Sequence, residues 1–304
     1  KTTSKTITPL ERLAADQAIA TPERVLQLAS SQRADSVSAV VGMALRVPGA
    51  SSLTSFWANL VQGVESVEQH SLEDLAAEGF SAELLSHPQL VRHGGVVAGA
   101  DQFDAAFFGI SDNEAPFIDP QHRMLLEVAW TAMEDAGYTA QSNATCRTAA
   151  ITSVSQNQYL LRHVAPHMRY GKVDGSGFNA HLSALVGNEK DYASLRLAGL
   201  LHLRGPVFSL QSACSSSLAG VVMASRLIGS NDCDAALVGG CTVPCPMRSC
   251  WLHTEGSIFA KDGRCRAYDA NAAGTVRGSG AGMVVLRRLA EATSARDQLY
   301  CTVQ

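Results

Sequence analysis

Charge and aromatic side chains are scarce in this chain. Of its 304 residues, 17% are Asp, Glu, Lys or Arg and 6% are Phe, Trp or Tyr. It contains no basic run, and the net charge is −4, so the sequence offers no surface for a polyanion. No apolar stretch reaches the ~18 residues needed to cross a bilayer. No apolar signal region follows Lys1-Thr2-Thr3-Ser4-Lys5, because the next segment is charged and amphipathic. Nucleic acid and membrane are therefore not expected partners. Internal repeats and low-complexity segments are also missing. Eight cysteines at irregular spacing do not form a disulfide framework, which makes the reducing cytoplasm the expected compartment. With no Met at position 1, the chain reads as processed or as an excerpt of a longer polypeptide.

What the chain has is apolar material: 46% of its residues are hydrophobic, enough for a large core. Residues 1–36 stand apart as short amphipathic patterns, with a helix start at Thr21-Pro22-Glu23 and a polar stretch at Ser30–Ser36. They read as linker or docking helices, or as a helix lying on the domain itself. Residues 37–304 form the main body. There Ser38–Leu45 reads as a buried strand, Leu53–Leu60 as a helix with Phe56, Trp57 and Leu60 on its apolar side, and Met124–Ala136 as a strong helix stopped by Gly137. Phe103, Phe107 and Phe108 mark a packed patch. Thr148–Ser153, Asp234–Gly240 and Gly282–Leu289 read as strands and Tyr192–Leu200 as a helix. Alternating strands and helices predict an α/β fold with a largely buried sheet.

The most informative stretch is Val207-Phe208-Ser209-Leu210-Gln211-Ser212-Ala213-Cys214-Ser215-Ser216-Ser217-Leu218. A buried strand ends in small residues, presents one cysteine and runs into a helix, with Leu218, Val221, Val222, Leu227 and Ile228 mostly on one face. Cys214 thus sits on a tight strand-to-helix turn, where the helix N-terminus favours an anion and so a nucleophilic thiolate. The serines leave room for a substrate and can hydrogen-bond the first helical turn. Cys214 is the candidate covalent nucleophile, and the other seven cysteines read as small buried hydrophobes.

Several segments, in order, resemble the ketosynthase (β-ketoacyl synthase) domain of modular polyketide synthases, a branch of the thiolase-fold enzymes. They are Ala39–Ala44 through Pro48-Gly49-Ala50; Phe103-Asp104-Ala105-Ala106-Phe107-Phe108-Gly109-Ile110-Ser111; and Asp119-Pro120-Gln121-His122-Arg123-Met124-Leu125-Leu126-Glu127 with Trp130 and Glu134-Asp135-Ala136-Gly137-Tyr138. Leu203-Arg204-Gly205-Pro206 then leads into Ser212–Leu218, followed by Lys261–Ala270 and Gly278–Gly282. The resemblance covers about residues 37–300 and implies the first half of a duplicated thiolase-like α/β sandwich.

It also implies a dimer that condenses acyl units by decarboxylative Claisen chemistry. Cys214 would accept an acyl chain from the phosphopantetheine thiol of an acyl carrier protein, with its own backbone N–H in the oxyanion hole. No cofactor or metal is expected to bind directly. Two departures stand out: Ser212 replaces a more usual threonine, and Ala272-Ala273 precede Gly274 where an acidic residue is common.

The two histidine motifs of the family's second half, HGTGT-like and N-GH-like, are not in this sequence, which ends at Tyr300-Cys301-Thr302-Val303-Gln304. Three readings stay open: one half of a split synthase completed by a second chain; a truncated domain kept for acyl transfer, dimerisation or docking; or part of a longer synthase. Weaker signals have plainer explanations. Cys241, Cys245, Cys250 and His253 match no zinc spacing. Gly278–Gly282 reads as close backbone packing rather than a phosphate loop. His122 reads as a satisfied helix-start residue, and Arg123 with Glu127 as a local pair.

Overall fold

The computed structural model describes residues 37–138, 145–168 and 176–304, with residues 167 and 176–180 given by backbone alone. The segment 1–36, read above as linker or docking helices, lies outside the described residues. A six-stranded mixed sheet organises the rest. Its strands are β1 (Ser38–Arg46), β2 (Thr148–Val154), β3 (Val207–Ser209), β4 (Ala235–Thr242), β5 (Gly280–Arg288) and β6 (Cys301–Val303), in the spatial order β6-β1-β5-β4-β2-β3. β2 runs parallel to both β3 and β4, whereas β5 is antiparallel to β4 and β1, and β6 is antiparallel to β1.

Helices cover both faces, as buried, β-branched and small-residue strands require. The main ones are α1 (Leu53–Gln62), α2 (Pro120–Asp135), α3 (Ser176–Asn188), α4 (Asp191–Leu200), α5 (Ser216–Gly229) and α6 (Leu289–Ala295). One face buries Leu125, Val128, Ala132 and Met133 of α2 and Leu197 of α4 against Ala150, Leu237 and Val285. The other packs Ala224 and Ile228 of α5 on Ile151, Val238 and Leu286. Alternate residues of one strand thus feed two cores, which is the period-two logic of a doubly covered sheet.

Helix α2 begins four residues before the expected Met124, because Asp119 caps it and Pro120 occupies its first turn. The Asp119 carboxylate accepts from the Gln121 backbone N–H at 2.8 Å. Gly137, at φ +72°, stops the helix, and its N–H reaches back to Glu134 O. The expected Arg123–Glu127 pair does not form. Glu127 instead takes an ion pair from Arg46 at the end of β1, and Arg123 lies over the Tyr159 ring, 5.6 Å from its centroid. Arg46 wins because β1 runs directly under α2, and two carbonyls, Ala98 O and Gly99 O, hold its second nitrogen.

The aromatic patch is present: Phe103 stacks on Phe108 with centroids 5.4 Å apart, and Phe107 meets Trp130 edge-on at 4.9 Å. The apolar stripe assigned to α1 is not buried, since Trp57 is 67% and Leu60 57% exposed.

Candidate active site

The strand-to-helix elbow forms, although β3 is a half-buried strand at the edge of the sheet rather than the buried one expected. β3 ends at Ser209, a single 3-10 turn spans Ala213–Ser215, and α5 starts at Ser216. Cys214 stands exposed at the centre of that turn. Ala213, immediately before it, has φ +50°, a left-handed conformation that costs a non-glycine residue energy and is tolerated where surrounding bonds over-determine it. The serines supply those bonds. Ser212 N–H donates to Ser216 Oγ at 2.7 Å, Ser216 Oγ donates to Ala213 O at 2.7 Å, and Ser215 Oγ donates to Ser212 O at 2.8 Å. The serines therefore lock the elbow itself rather than capping α5.

α5 turns small residues to the sheet, which corrects the single apolar face read above. Gly220, Ala224 and Ile228 are buried, whereas Leu218 is 68% and Val222 46% exposed. A Cβ on Gly220 would come within 3.0 Å of Val238 Cγ1, so this close helix–sheet approach selects glycine there.

Cys214 opens into a cavity of about 790 Å³ at the C-terminal ends of β2 and β4. Its walls include Ser153, Ser155 and Gln156 after β2, Thr242 at the end of β4, and Lys190 and Gln211. Ligand sites of parallel α/β sheets form at this end of the strands, where the elements diverge. The sequence reading missed Lys190, Ser155 and Thr242, although their position at strand ends was a usable signal.

A polar network runs from the cavity wall back to the buried Gln121 and Asp119. Thr242 Oγ1 donates to Ser155 Oγ at 2.8 Å, and Ser155 Oγ and N–H both donate to Gln121 Oε1, at 2.7 and 2.9 Å. Gln121 Nε2 in turn donates to Asp119 Oδ2 at 3.2 Å. Burial pushes the Asp119 carboxyl up to about 6, against the lowering effect of the two Gln121 bonds and Arg123.

Two further readings change. His122 is 2% exposed with both ring nitrogens unpartnered, so it is not a satisfied helix-start residue, and burial drives it down to about 3, with Arg196 adding to the effect. Of the other cysteines only Cys233 and Cys241 are buried, and Cys265 and Cys301 are exposed like Cys214, because each lies in a loop or an edge strand. Burial raises the Cys233 thiol to about 11 and that of Cys241 well above the ordinary range. Among the described residues no group of three or more His, Cys, Asp or Glu is placed to hold a metal ion. Among the same residues no histidine lines the Cys214 cavity.

Comparison with known proteins decides the family. Residues 36–292 match the model of the "Beta-ketoacyl synthase, N-terminal domain". The chain belongs to the β-ketoacyl synthase family. This ketoacyl synthase domain is 40% identical over 268 residues to one of the phenolphthiocerol/phthiocerol polyketide synthase proteins of Mycobacterium tuberculosis, covering 88% of the chain and 18% of that protein. It is 35% identical to the polyketide synthase PksN of Bacillus subtilis, covering 89% of the chain and 5% of that protein. Among solved structures, ketosynthase twelve of the bacillaene polyketide synthase of Bacillus amyloliquefaciens superimposes with a TM-score of 0.76 at 33% identity, covering 88% of the chain and 46% of that structure. The ketosynthase of module 1 of the bacillaene synthase of the same species gives 0.70 at 32% identity, covering 88% of the chain and 45% of that structure. The chain thus spans under half of these ketosynthases and a fifth or less of the curated relatives. The synthase fold is thiolase-like, as the sequence resemblance implied, and no described helix is long and apolar enough to cross a membrane.

Proposed function

We propose that this domain carries the nucleophile of a polyketide ketosynthase and that Cys214 accepts the growing acyl chain. The observation that carries the reading is Cys214 itself: an exposed thiol on a strained elbow before a helix, opening into a cavity where β2 and β4 end together. The thiolate attacks the carbonyl carbon of an acyl thioester, and the tetrahedral oxyanion collapses by expelling the carrier thiolate, which leaves the acyl group on Cys214. The Cys214 backbone N–H stabilises that oxyanion.

A malonyl-type extender then loses carbon dioxide. Its carbanion attacks the acyl-cysteine, and Cys214 leaves as thiolate. Among the described residues no histidine lines this cavity, and we assign the donors that steady the extender carbonyl to a completing segment or a second chain. Substrates arrive on the phosphopantetheine arm of an acyl carrier protein, so no resident cofactor is needed. A homodimer in the reducing cytoplasm, where a free thiol persists, is the expected setting.

Intact-protein mass spectrometry after incubation with an acyl-pantetheine thioester tests the nucleophile, beside Cys214→Ala. A gain of one acyl mass that the variant lacks is the expected result. An equal gain in the variant would transfer the acceptor role to another exposed thiol, Cys265 or Cys301. No gain in either folded protein would leave a dimerisation or docking role.

A further inference from the structure

Three hydroxyls at the end of β2 and β4, those of Ser153, Ser155 and Thr242, share one polarity. Gln121 Oε1 already accepts the Ser155 backbone N–H, so it can only accept from the Ser155 hydroxyl as well. With that hydrogen committed, the Thr242 hydroxyl must be the donor of the Thr242–Ser155 bond. The amide of Gln121 cannot reverse, because its nitrogen is held by Asp119. On the adjacent strand Ser153 Oγ donates to Gly239 O at 3.3 Å, an acceptor with no hydrogen to return.

Thr242, Ser155 and Ser153 therefore all send their hydrogens into the protein, and Thr242 and Ser153 are left with oxygen lone pairs that no described protein donor takes. Both residues line the cavity that holds Cys214. Ser153 lies opposite Gly240 in the β2–β4 register, and a Cβ on Gly240 would come within 2.6 Å of Ser153 Oγ, so the glycine keeps that oxygen uncovered.

We propose that this wall, Thr242 with Ser153, is an acceptor subsite for a hydrogen-bond donor on the acyl chain, so that the domain takes hydroxyl-bearing acyl groups in preference to plain hydrocarbon ones. The proposal rests on the reading of Cys214 as the acyl acceptor and names the acyl class it takes. A hydroxylated acyl chain leaves water, where its hydroxyl is fully hydrogen-bonded, and needs an acceptor in the cavity. A hydrocarbon chain leaves the two oxygens unpaired, and that costs free energy on the protein side.

The test is a competition between the N-acetylcysteamine thioesters of 3-hydroxybutanoate and butanoate for Cys214, read by intact mass in the full chain. The wild type is expected to favour the hydroxyacyl thioester by roughly tenfold, the equivalent of one hydrogen bond. Thr242→Val, which keeps the shape and removes the oxygen, should bring the ratio close to one, and Thr242→Ser should restore it. A wild-type ratio near one, or a preference that survives Thr242→Val, would overturn the proposal. Calorimetric binding of the same two thioesters to Cys214→Ala reads the preference without the covalent step. Selective binding there, with no acylation in the wild type, would defeat the nucleophile assignment alone; equal binding would defeat the acceptor subsite alone.

Discussion

His122 shows how far one side chain can depart from its sequence context. It sits in the first turn of α2, where exposure is normal, yet it is buried with both ring nitrogens unpartnered and titrates near 3. The unfolded chain binds a proton on this imidazole below about 6.5, whereas the folded one stays neutral, so His122 withdraws stability as pH falls from 6.5. Asp119, three residues away, acts in the opposite direction. Its carboxyl is raised to about 6, so the folded state holds the proton more tightly than the unfolded state and gains stability as pH falls toward 4. His122→Leu removes the first effect and leaves the second. Between pH 7 and pH 5 the variant should gain about 2 kcal/mol relative to the wild type. Urea unfolding midpoints at the two pH values measure this, and equal slopes in both proteins would refute it.

At the scale of elements, the strands were legible because runs such as Thr148–Val154 and Ala235–Thr242 are short, apolar and bounded by polar or turn residues. Helix ends were less so, since α2 starts on an Asp-Pro cap that the apolar periodicity does not register. Packing between elements depends on residues that look unremarkable in sequence. Gly42 lies at the irregularity between β1 and β5, and a Cβ there would come within 2.5 Å of Ala136 Cβ and 2.6 Å of Ala132 O. The second contact is backbone, so α2 itself would have to move. Gly42→Ala should therefore destabilise the domain by about 1–3 kcal/mol, measured by chemical denaturation. An unchanged midpoint would mean that α2 slides on β1 without loss.

At the scale of the whole molecule, the described residues cover the two faces of the sheet unequally. Helices α2 and α4 seal one, whereas on the other α5 leaves Leu218 and Val222 exposed beside an apolar groove lined by Met43, Leu45, Val221 and Val284. Position on α5 should thus decide the cost of a substitution. Leu218→Ser should change the stability of this chain by no more than about 0.5 kcal/mol. Ile228→Ala, ten residues on and fully buried, should cost about 2–5 kcal/mol. Denaturant midpoints of the two variants separate the cases, and similar costs would show that Leu218 is buried in solution.

By itself the sequence determined the α/β class, the order of the strands along the chain and Cys214 on its elbow. Each is encoded locally: apolar runs bounded by turn residues make strands, and a cysteine among serines between a strand and a helix makes an exposed turn. Only the tertiary structure decided that Glu127 answers Arg46 rather than Arg123, that His122 has no partner, and that α5 meets the sheet through Gly220 and Ala224. It also decided which side chains surround the thiol. Lys190, Ser155 and Thr242 are far apart in sequence and share a cavity because parallel strands end together, and no local pattern records which strands become neighbours.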